Sequence, residues 1–396
     1  MKRIPEVELE RIRAAVDLHR IVERHVDGWS RSKSNFARGD YWACCPFHGE
    51  TTPSFHVDDG KGRYKCFGCG ASGDHFKFLM EKTGCSFVEA VEQLGGRSEP
   101  EPMTPEQIAA DQEARARKRN ERERKAETFR ADEIRRSAKI MDAGGRVGGT
   151  EGEAYLRGRG LLPCPVRLPL RFLTHYQYWH QRDVPGRKKP EPYVLMSAPA
   201  MLAPITGPEG FQGVHITCID PLFPGRKLVI EDPEHPGEVL PPKKIRGSKR
   251  GAAIKLWTPE LFDRLVIGEG IETVLSVLVA ELETDRFSRT AYWASIDLQH
   301  MGGKAVESVA HPTAKDKAGR PRRVPGPVPD MDDRDALLIP DHVSEVLRLG
   351  DGDSCRFTAD QVMARSKARW ARPGLKDRTV FAPVDQDFND ILMGVS

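Results

Sequence analysis

The sequence predicts a multidomain protein of mixed α+β and α/β class, and three observations support this. At 396 residues the chain exceeds the usual size of one domain, so two or three domains are expected. Half of its 8 cysteines fall between Cys44 and Cys69, which is typical of a small metal-binding module. From Arg264 onward, short apolar runs alternate with helical patterns, which indicates a mainly parallel sheet flanked by helices.

Residues 1–96 form the first predicted domain. Apolar residues from Val7 to Val26 recur at helical spacing, and a second amphipathic pattern begins at Asp74 and ends at Gly95-Gly96. Residues 97–150 predict a charged helical linker, because mixed-sign runs of this kind are more typical of solvated helices than of nucleic-acid contacts.

Two further domains are predicted after the linker. Residues 151–258 are rich in proline, glycine and short apolar runs and predict an α+β unit. Residues 259–396 predict the parallel sheet, and the polar, proline-rich stretch from His311 to Asp333 is expected to be an exposed loop within it.

Composition argues against a membrane protein. No run of about 18 apolar residues occurs, and the N-terminus lacks the apolar segment of a signal peptide, so a cytoplasmic location is expected. The 61 basic residues nearly balance the 58 acidic ones, for a net charge of +3, so only local clusters of charge could indicate nucleic-acid binding.

The cysteine cluster has the spacing of a zinc site. Cys45, His48, Cys66 and Cys69 form a C-x2-H and a C-x2-C pair with 17 residues between them. Each pair lies on a tight turn, and two such turns on neighbouring strands can complete a tetrahedron around Zn²⁺. With all four positions filled by protein, the zinc is predicted to be structural. Cys44 breaks the spacing and is expected to be a packed or exposed thiol.

The same segment resembles the zinc ribbon of bacterial and phage DNA primases, on the motifs Cys45–Phe55 and Tyr64–Gly70. In that family the ribbon engages the single-stranded DNA template, which the resemblance implies here. Flat aromatic rings and cations suit bases and phosphates, and the expected contacts are Trp42, Tyr64, Arg63 and Lys65. The alternative is that the aromatic rings fill the ribbon core, above all Phe55.

Three carboxylates follow predicted strands. Glu269 lies on a tight turn between a strand and a helix, and Asp351 and Asp353 stand two residues apart at a strand end. Alternate residues of an extended segment point the same way, and Gly352 between them lets the backbone approach. Carboxylate oxygens suit Mg²⁺ or Mn²⁺. The alternative is an Asp-Gly-Asp turn without a metal.

The positions of these carboxylates after predicted strands resemble the pattern of the topoisomerase–primase (Toprim) fold. The resemblance implies catalytic and metal-binding roles for Glu269, Asp351 and Asp353. The resemblance also offers Asp387 as a further metal ligand, in a closing motif similar to that of phage and mobile-element members. Many members carry an aspartate four residues after the glutamate, where Thr273 stands in this sequence.

Two basic motifs precede these carboxylates. Glu153–Leu161 resembles the opening of the primase polymerising core, and Pro242–Gly251 resembles its basic motif. Clustered cations without acidic neighbours suit a triphosphate or a template backbone. The expected contacts are Lys243, Lys244, Arg246 and Arg157. The alternative is an exposed solubilising loop.

The sequence therefore predicts a DNA primase that makes short RNA primers on single-stranded DNA from NTPs, with structural Zn²⁺ and catalytic Mg²⁺ or Mn²⁺. Two alternatives are a Toprim-type nuclease and a non-catalytic single-stranded-DNA-binding replication protein of a mobile element. A separate replicative helicase is an expected partner, because few residues follow Asp387.

Overall fold

The computed structural model describes residues 4, 6–50, 52–96, 105–182, 184, 190–315 and 319–395. Residues 97–104 of the predicted linker therefore lie outside the described residues. The chain divides into two compact units. One comprises Met1–Arg119, His180–Tyr193 and Ala310–Arg323, and the other comprises Asn120–Trp179, Val194–Val309 and Val324–Ser396.

The first unit contains a small antiparallel sheet between helices. The helices are α1 (Glu6–Ala15), α2 (Leu18–Val22), α3 (His75–Thr83) and α4 (Phe87–Gln93), and the strands, which pair in chain order, are β1 (Asp40–Ala43), β2 (Phe55–Asp58), β3 (Arg63–Cys66) and β4 (Ser72–Gly73). The side chain of Asp74 caps α3 by accepting from the Lys77 N–H. Ser86 and Glu89 form a capping box at α4, so the helix starts are set locally.

Aromatic rings fill the core of this unit. Tyr64 is 2% exposed and its ring centroid lies 5.2 Å from that of Phe55 and 5.4 Å from that of Phe78. The Tyr64 hydroxyl donates to Glu81 at 2.7 Å. The prediction of a DNA contact at Tyr64 is corrected, because a buried ring has no face left for a base.

Helix α5 (Pro105–Ala143) is 39 residues long and continues from the first unit into the second. In its described part, ion pairs such as Lys125–Glu121 at 2.7 Å link successive turns. It ends at Ala143, just before Gly144-Gly145.

The second unit contains one larger sheet and most of another. Its helices are α6 (Glu151–Gly158), α7 (Ile271–Glu281), α8 (Leu298–Gly302), α9 (Arg356–Trp370) and α10 (Phe388–Met393). One sheet has the order β10-β7-β6-β5 and comprises β5 (Arg171–Arg182), β6 (Glu191–Gly207), β7 (Gly210–Cys218) and β10 (Lys243–Gly247). The short pair β8 (Ile230–Glu231) and β9 (Val239–Leu240) stands apart from it.

The other sheet confirms the predicted α/β architecture. It has the order β11-β13-β12-β16-β17 and comprises β11 (Ile254–Trp257), β12 (Arg264–Gly268), β13 (Thr290–Ala294), β16 (Glu345–Gly350) and β17 (Lys376–Phe381). All pairs are parallel except β11 with β13. Strands β12 and β13 are buried along their whole length, which explains their continuous apolar runs.

The prediction of an exposed loop from His311 to Asp333 is wrong for the first half of this stretch. Strands β14 (Ser308–Lys315) and β15 (Pro321–Pro325) pair there as a two-stranded ribbon. Its base is held by the buried Arg365 guanidinium, which donates to the carbonyls of Pro325 and Gly326 at 2.9 and 2.7 Å. These strands carry exposed polar residues, and prolines at their ends, so they lack the apolar pattern by which strands are predicted.

No helix in the described part of the chain has the length and apolar character needed to cross a bilayer.

Candidate metal centres

The structure brings Cys45, His48, Cys66 and Cys69 together. The first two lie on the turn after β1 and the last two on the turn that begins at the end of β3. Their ligand atoms all lie within 4.8 Å of one another, and the Sγ atoms of Cys45 and Cys69 are 3.7 Å apart. Two thiolates on one tetrahedral Zn²⁺ stand about 3.8 Å apart, as Zn–S bonds of about 2.3 Å require. The donor set therefore fits zinc.

Hydrogen bonds around this cluster orient its donors. Burial alone would raise the pKa of the Cys66 thiol, but the Cys69 N–H and the Ser54 hydroxyl, 3.2 Å from its sulfur, lower it overall. Glu50 lies 3.1 Å from Nε2 of His48 and accepts from the Cys45 N–H at 2.7 Å. A carboxylate on the outer nitrogen fixes the imidazole orientation. The spacing analysis missed Glu50 and Ser54, although both lie inside the motif.

The ribbon carries an aromatic pair in which one ring is exposed and the other, Trp42, is half-buried. Trp42 and Phe67 stack with centroids 5.4 Å apart, and Phe67 is 58% exposed. The Lys65 ammonium lies 5.1 Å from the Phe67 centroid, and the Arg63 side chain is also exposed. This surface combines a stacking platform with cations, which suits a single-stranded nucleic acid.

A second group of acidic residues lies at one edge of the parallel sheet. Glu269 follows β12, and Asp351 and Asp353 follow β16. Because β12 and β16 are adjacent and parallel, their carboxyl ends meet at the same edge. Burial, followed by the charges of Glu269, Asp353 and Asp387, raises the pKa of Asp351 to about 7, although Thr273 opposes the shift.

Glu269 experiences the same crowding. Burial raises the pKa of Glu269, as do the charges of Asp297 and Asp353, while Lys243 acts in the opposite direction. In the part of the chain that the structure describes, these oxygens are spaced more widely than the cysteine cluster. The ligand atoms of Asp232, His235 and Glu238 in the β8–β9 turn, like those of the cysteine cluster, lie within 4.8 Å of one another. Crowded carboxylates of this kind are relieved by a bound cation.

Backbone and side-chain contacts hold the Asp351 carboxylate in place. A Cβ on Gly352 would lie 1.8 Å from the Pro383 carbonyl oxygen, so only glycine fits between the two aspartates. The Thr273 hydroxyl donates to both Asp351 oxygens, at 3.1 and 3.2 Å. The residue that departs from the Toprim pattern is therefore a partner of Asp351. Asp387 caps α10 by accepting from the N–H groups of Asn389 and Asp390.

The basic residues predicted to bind NTP or template do not lie together in the structure. Lys243 acts electrostatically on Glu269, whereas Lys244 lies over the Tyr178 ring at 4.5 Å and the charge of Arg246 acts on Tyr176. Alternation along β10 explains this, because successive side chains point to opposite faces. Arg157 pairs with Glu153 at 2.7 Å on the exposed face of α6.

Four residues near the acidic edge escaped the sequence analysis as site residues: Tyr155, Arg159, Lys227 and Glu272. Tyr155 and Arg159 lie inside the motif Glu153–Leu161, but the residue of that motif predicted to bind NTP or template was Arg157. Lys227 follows a Pro-Gly turn and carries no motif of its own. Its position beside Glu272 depends on a contact between distant parts of the chain.

Comparison with known proteins identifies two segments. Residues 4–107 match the CHC2 zinc finger family, and residues 131–256 match a domain of unknown function, DUF7146. A DNA primase of Halalkalibacterium halodurans is 42% identical over 107 residues, which cover 26% of this chain and 17% of the relative. A DNA primase of Thermotoga maritima is 45% identical over 97 residues, which cover 24% and 16%. The chain thus spans about a sixth of the length of these curated relatives.

Among solved structures, the zinc-binding and RNA polymerase domains of the Aquifex aeolicus primase align with 98% of this chain and 82% of that one. The identity is 15% and the TM-score is 0.37. The sequence matches confirm the resemblance to bacterial-type DNA primases over the amino-terminal segment.

Proposed function

We propose that this chain, whose amino-terminal segment belongs to the CHC2 zinc finger family, is a DNA primase that joins nucleoside triphosphates into RNA on a single-stranded DNA template. The observation that carries the proposal is the acidic edge formed by Glu269, Asp351 and Asp353. It occurs in one chain with a ribbon 42% identical to that of a DNA primase.

The ribbon supplies template binding in this proposal. Cys45, His48, Cys66 and Cys69 would hold a structural Zn²⁺, which would tie the turn after β1 to the turn at the end of β3 and thereby fix the Trp42–Phe67 pair. Bases of a single strand stack on that pair, while Lys65 and Arg63 bind phosphates. Tyr64 contributes to the core and not to DNA binding.

The acidic edge supplies the chemistry. Glu269, Asp351 and Asp353 would hold Mg²⁺ or Mn²⁺, with Asp387 a further candidate; when bound, such ions stabilise charge on the attacking and leaving oxygens. The Thr273 hydroxyl keeps the Asp351 carboxylate turned toward the edge. Lys243, whose charge acts on Glu269, offers a cation for the triphosphate of the incoming nucleotide. Lys244 and Arg246, on the other face of β10, are the cations available to a template backbone.

The test is synthesis of labelled oligomers from NTPs on single-stranded DNA by the purified, zinc-loaded protein. We expect Glu269→Ala and Asp351→Ala to lower the yield at least about a hundredfold, because each removes a ligand of an ion that contributes several kcal/mol. Asp285→Ala is the matched control, an exposed aspartate in the α7–β13 connection at the opposite edge of the sheet. Absence of product from the wild type on a library of templates would refute the proposal.

A further inference from the structure

A buried ionic cluster lies beside the acidic edge. Glu272, in the first turn of α7, is 5% exposed. Its Oε1 atom accepts a hydrogen bond of 2.5 Å from the Tyr155 hydroxyl and lies 3.2 Å from the Lys227 ammonium. Burial alone would raise the pKa of Glu272, but the charges of Lys227 and Lys243 and the Tyr155 hydrogen bond lower it overall, so the carboxylate is ionised. The cluster joins α6, the β7–β8 connection and α7.

The same helix carries a matched cluster at its other end. Glu281, the last residue of α7, accepts from Arg264 at 2.6 Å and from the Tyr292 hydroxyl at 2.7 Å. Both clusters therefore pair a glutamate with a cation and a tyrosine. The cations differ, because one is an arginine with 2% of its side chain exposed and the other is a lysine with 25% exposed.

The 25% exposure of the Lys227 side chain argues against a purely structural role. Arginine suits buried ion pairs because its guanidinium group can donate to several acceptors at once. The buried Arg348–Asp377 pair of the parallel sheet is a further example. Lysine carries three donors at one point, a geometry that suits phosphate oxygens. Within the described residues the Lys227 ammonium pairs with Glu272, and its other two donors can reach a ligand.

Lys227 stands among other cations. The charges of Lys243 and Arg159 both act on it, and Lys243 also acts on Glu269 at the acidic edge. Arg159 is itself fixed, since it donates to the Gly225 carbonyl at 2.7 Å and to Asn389 at 3.2 Å. Three cations therefore lie within electrostatic range next to the residues proposed to hold the metal ions.

We infer that Lys227 binds the triphosphate of the incoming nucleotide together with Lys243, and that Glu272 is a positioning residue that holds Lys227 in place and does not bind metal. This inference rests on the proposed function. Glu272 lies only three residues after Glu269, so the primary sequence alone would suggest a second metal ligand. The contacts with Tyr155 and Lys227 assign it the other role.

The test compares steady-state primer synthesis by Glu272→Gln, Lys227→Met and Glu281→Gln with that of the wild type. Loss of a phosphate contact should raise the KM for NTPs about tenfold or more in the first two variants, with a smaller change in kcat, since each 1.4 kcal/mol corresponds to a factor of ten. Glu281→Gln should leave KM unchanged although it breaks an equivalent buried cluster. Lys227→Arg should restore most of the affinity.

Calorimetric titration with ATP gives a readout independent of primer synthesis. Dissociation constants should rise about tenfold in Lys227→Met and Glu272→Gln, and circular dichroism verifies that each variant is folded. Equal ATP affinity in the wild type and folded Lys227→Met would overturn the inference, as would equal KM shifts in Glu272→Gln and Glu281→Gln. A wild type that binds ATP through Lys227 but makes no primer would instead overturn the primase proposal and leave the triphosphate site standing.

Discussion

Asp351 is the residue with the most strongly perturbed electrostatics at the acidic edge. Burial and the charges of three neighbouring carboxylates raise its pKa to about 7, from 3.8 in an unfolded chain. The folded protein therefore binds a proton that the unfolded chain has released between about pH 4 and 7. A raised carboxyl pKa makes the metal-free fold lose stability as pH rises through that window.

Asp351→Asn removes this loss. In the presence of a metal chelator, we expect the variant to gain stability over the wild type between pH 5 and pH 8, by at most about 3 kcal/mol, because about two pKa units of the shift lie above pH 5. Thermal unfolding at both pH values measures the difference, with Asp285→Asn as the control. A constant difference between Asp351→Asn and wild type across this range would show that the Asp351 carboxyl is not crowded.

Residue roles that depend on spacing were predictable, and roles that depend on distant contacts were not. The four zinc candidates lie on two short motifs, and the structure gathers them. The Tyr155–Glu272 contact joins residues 117 positions apart, which no local pattern reveals. Tyr64 was wrongly predicted to contact DNA. The sequence does not distinguish an aromatic ring that faces the core from one that faces the solvent.

At the scale of single elements, the turn after β16 depends on one glycine. Gly352 donates its N–H to the Gln386 carbonyl at 2.8 Å, and a Cβ there would overlap the Pro383 carbonyl. We expect Gly352→Ala to displace the turn and to destabilise the second unit by about 3 kcal/mol, the upper end for overpacking. Urea unfolding measures this, and Gly148→Ala is the control because its Cβ would meet nothing closer than 3.9 Å. Equal stability of the two variants would contradict the assigned packing.

Elements with apolar runs were predicted well, and polar elements were not. Strands β12, β13 and β16 are bounded by turns and filled with buried side chains, so the parallel sheet followed from the sequence. The β14–β15 ribbon is mostly exposed, carries prolines and lacks a continuous apolar run, so it was mistaken for a loop. The face that each cation of β10 occupies depends on where the strand begins, which the sequence does not define to within one residue.

At the scale of the whole molecule, the zinc candidates belong to one of the two compact units. Zinc binding in small modules supplies roughly 10–16 kcal/mol of folding free energy. We therefore expect Cys66→Ser to release zinc and to unfold residues up to about 95 while the parallel sheet stays folded. Hydrogen exchange with mass spectrometry locates the unfolding, and metal analysis counts the zinc.

Cys44→Ser is the matched control, because Cys44 neighbours the cluster but lies outside its set of ligand atoms. It should retain one zinc per chain and native exchange rates. Retention of zinc by Cys66→Ser, or loss of zinc from Cys44→Ser, would refute the proposed ligand set.

In the proposed function, carboxylates from two neighbouring strands bind divalent cations at one edge of the sheet. Electron paramagnetic resonance with Mn²⁺ tests this directly, because it distinguishes bound from free ions during a titration. The wild type and Asp285→Asn should bind Mn²⁺ with the same affinity, and Glu269→Gln and Asp351→Asn should bind it at least about tenfold more weakly. Unchanged Mn²⁺ affinity in both of the latter variants would contradict the central claim.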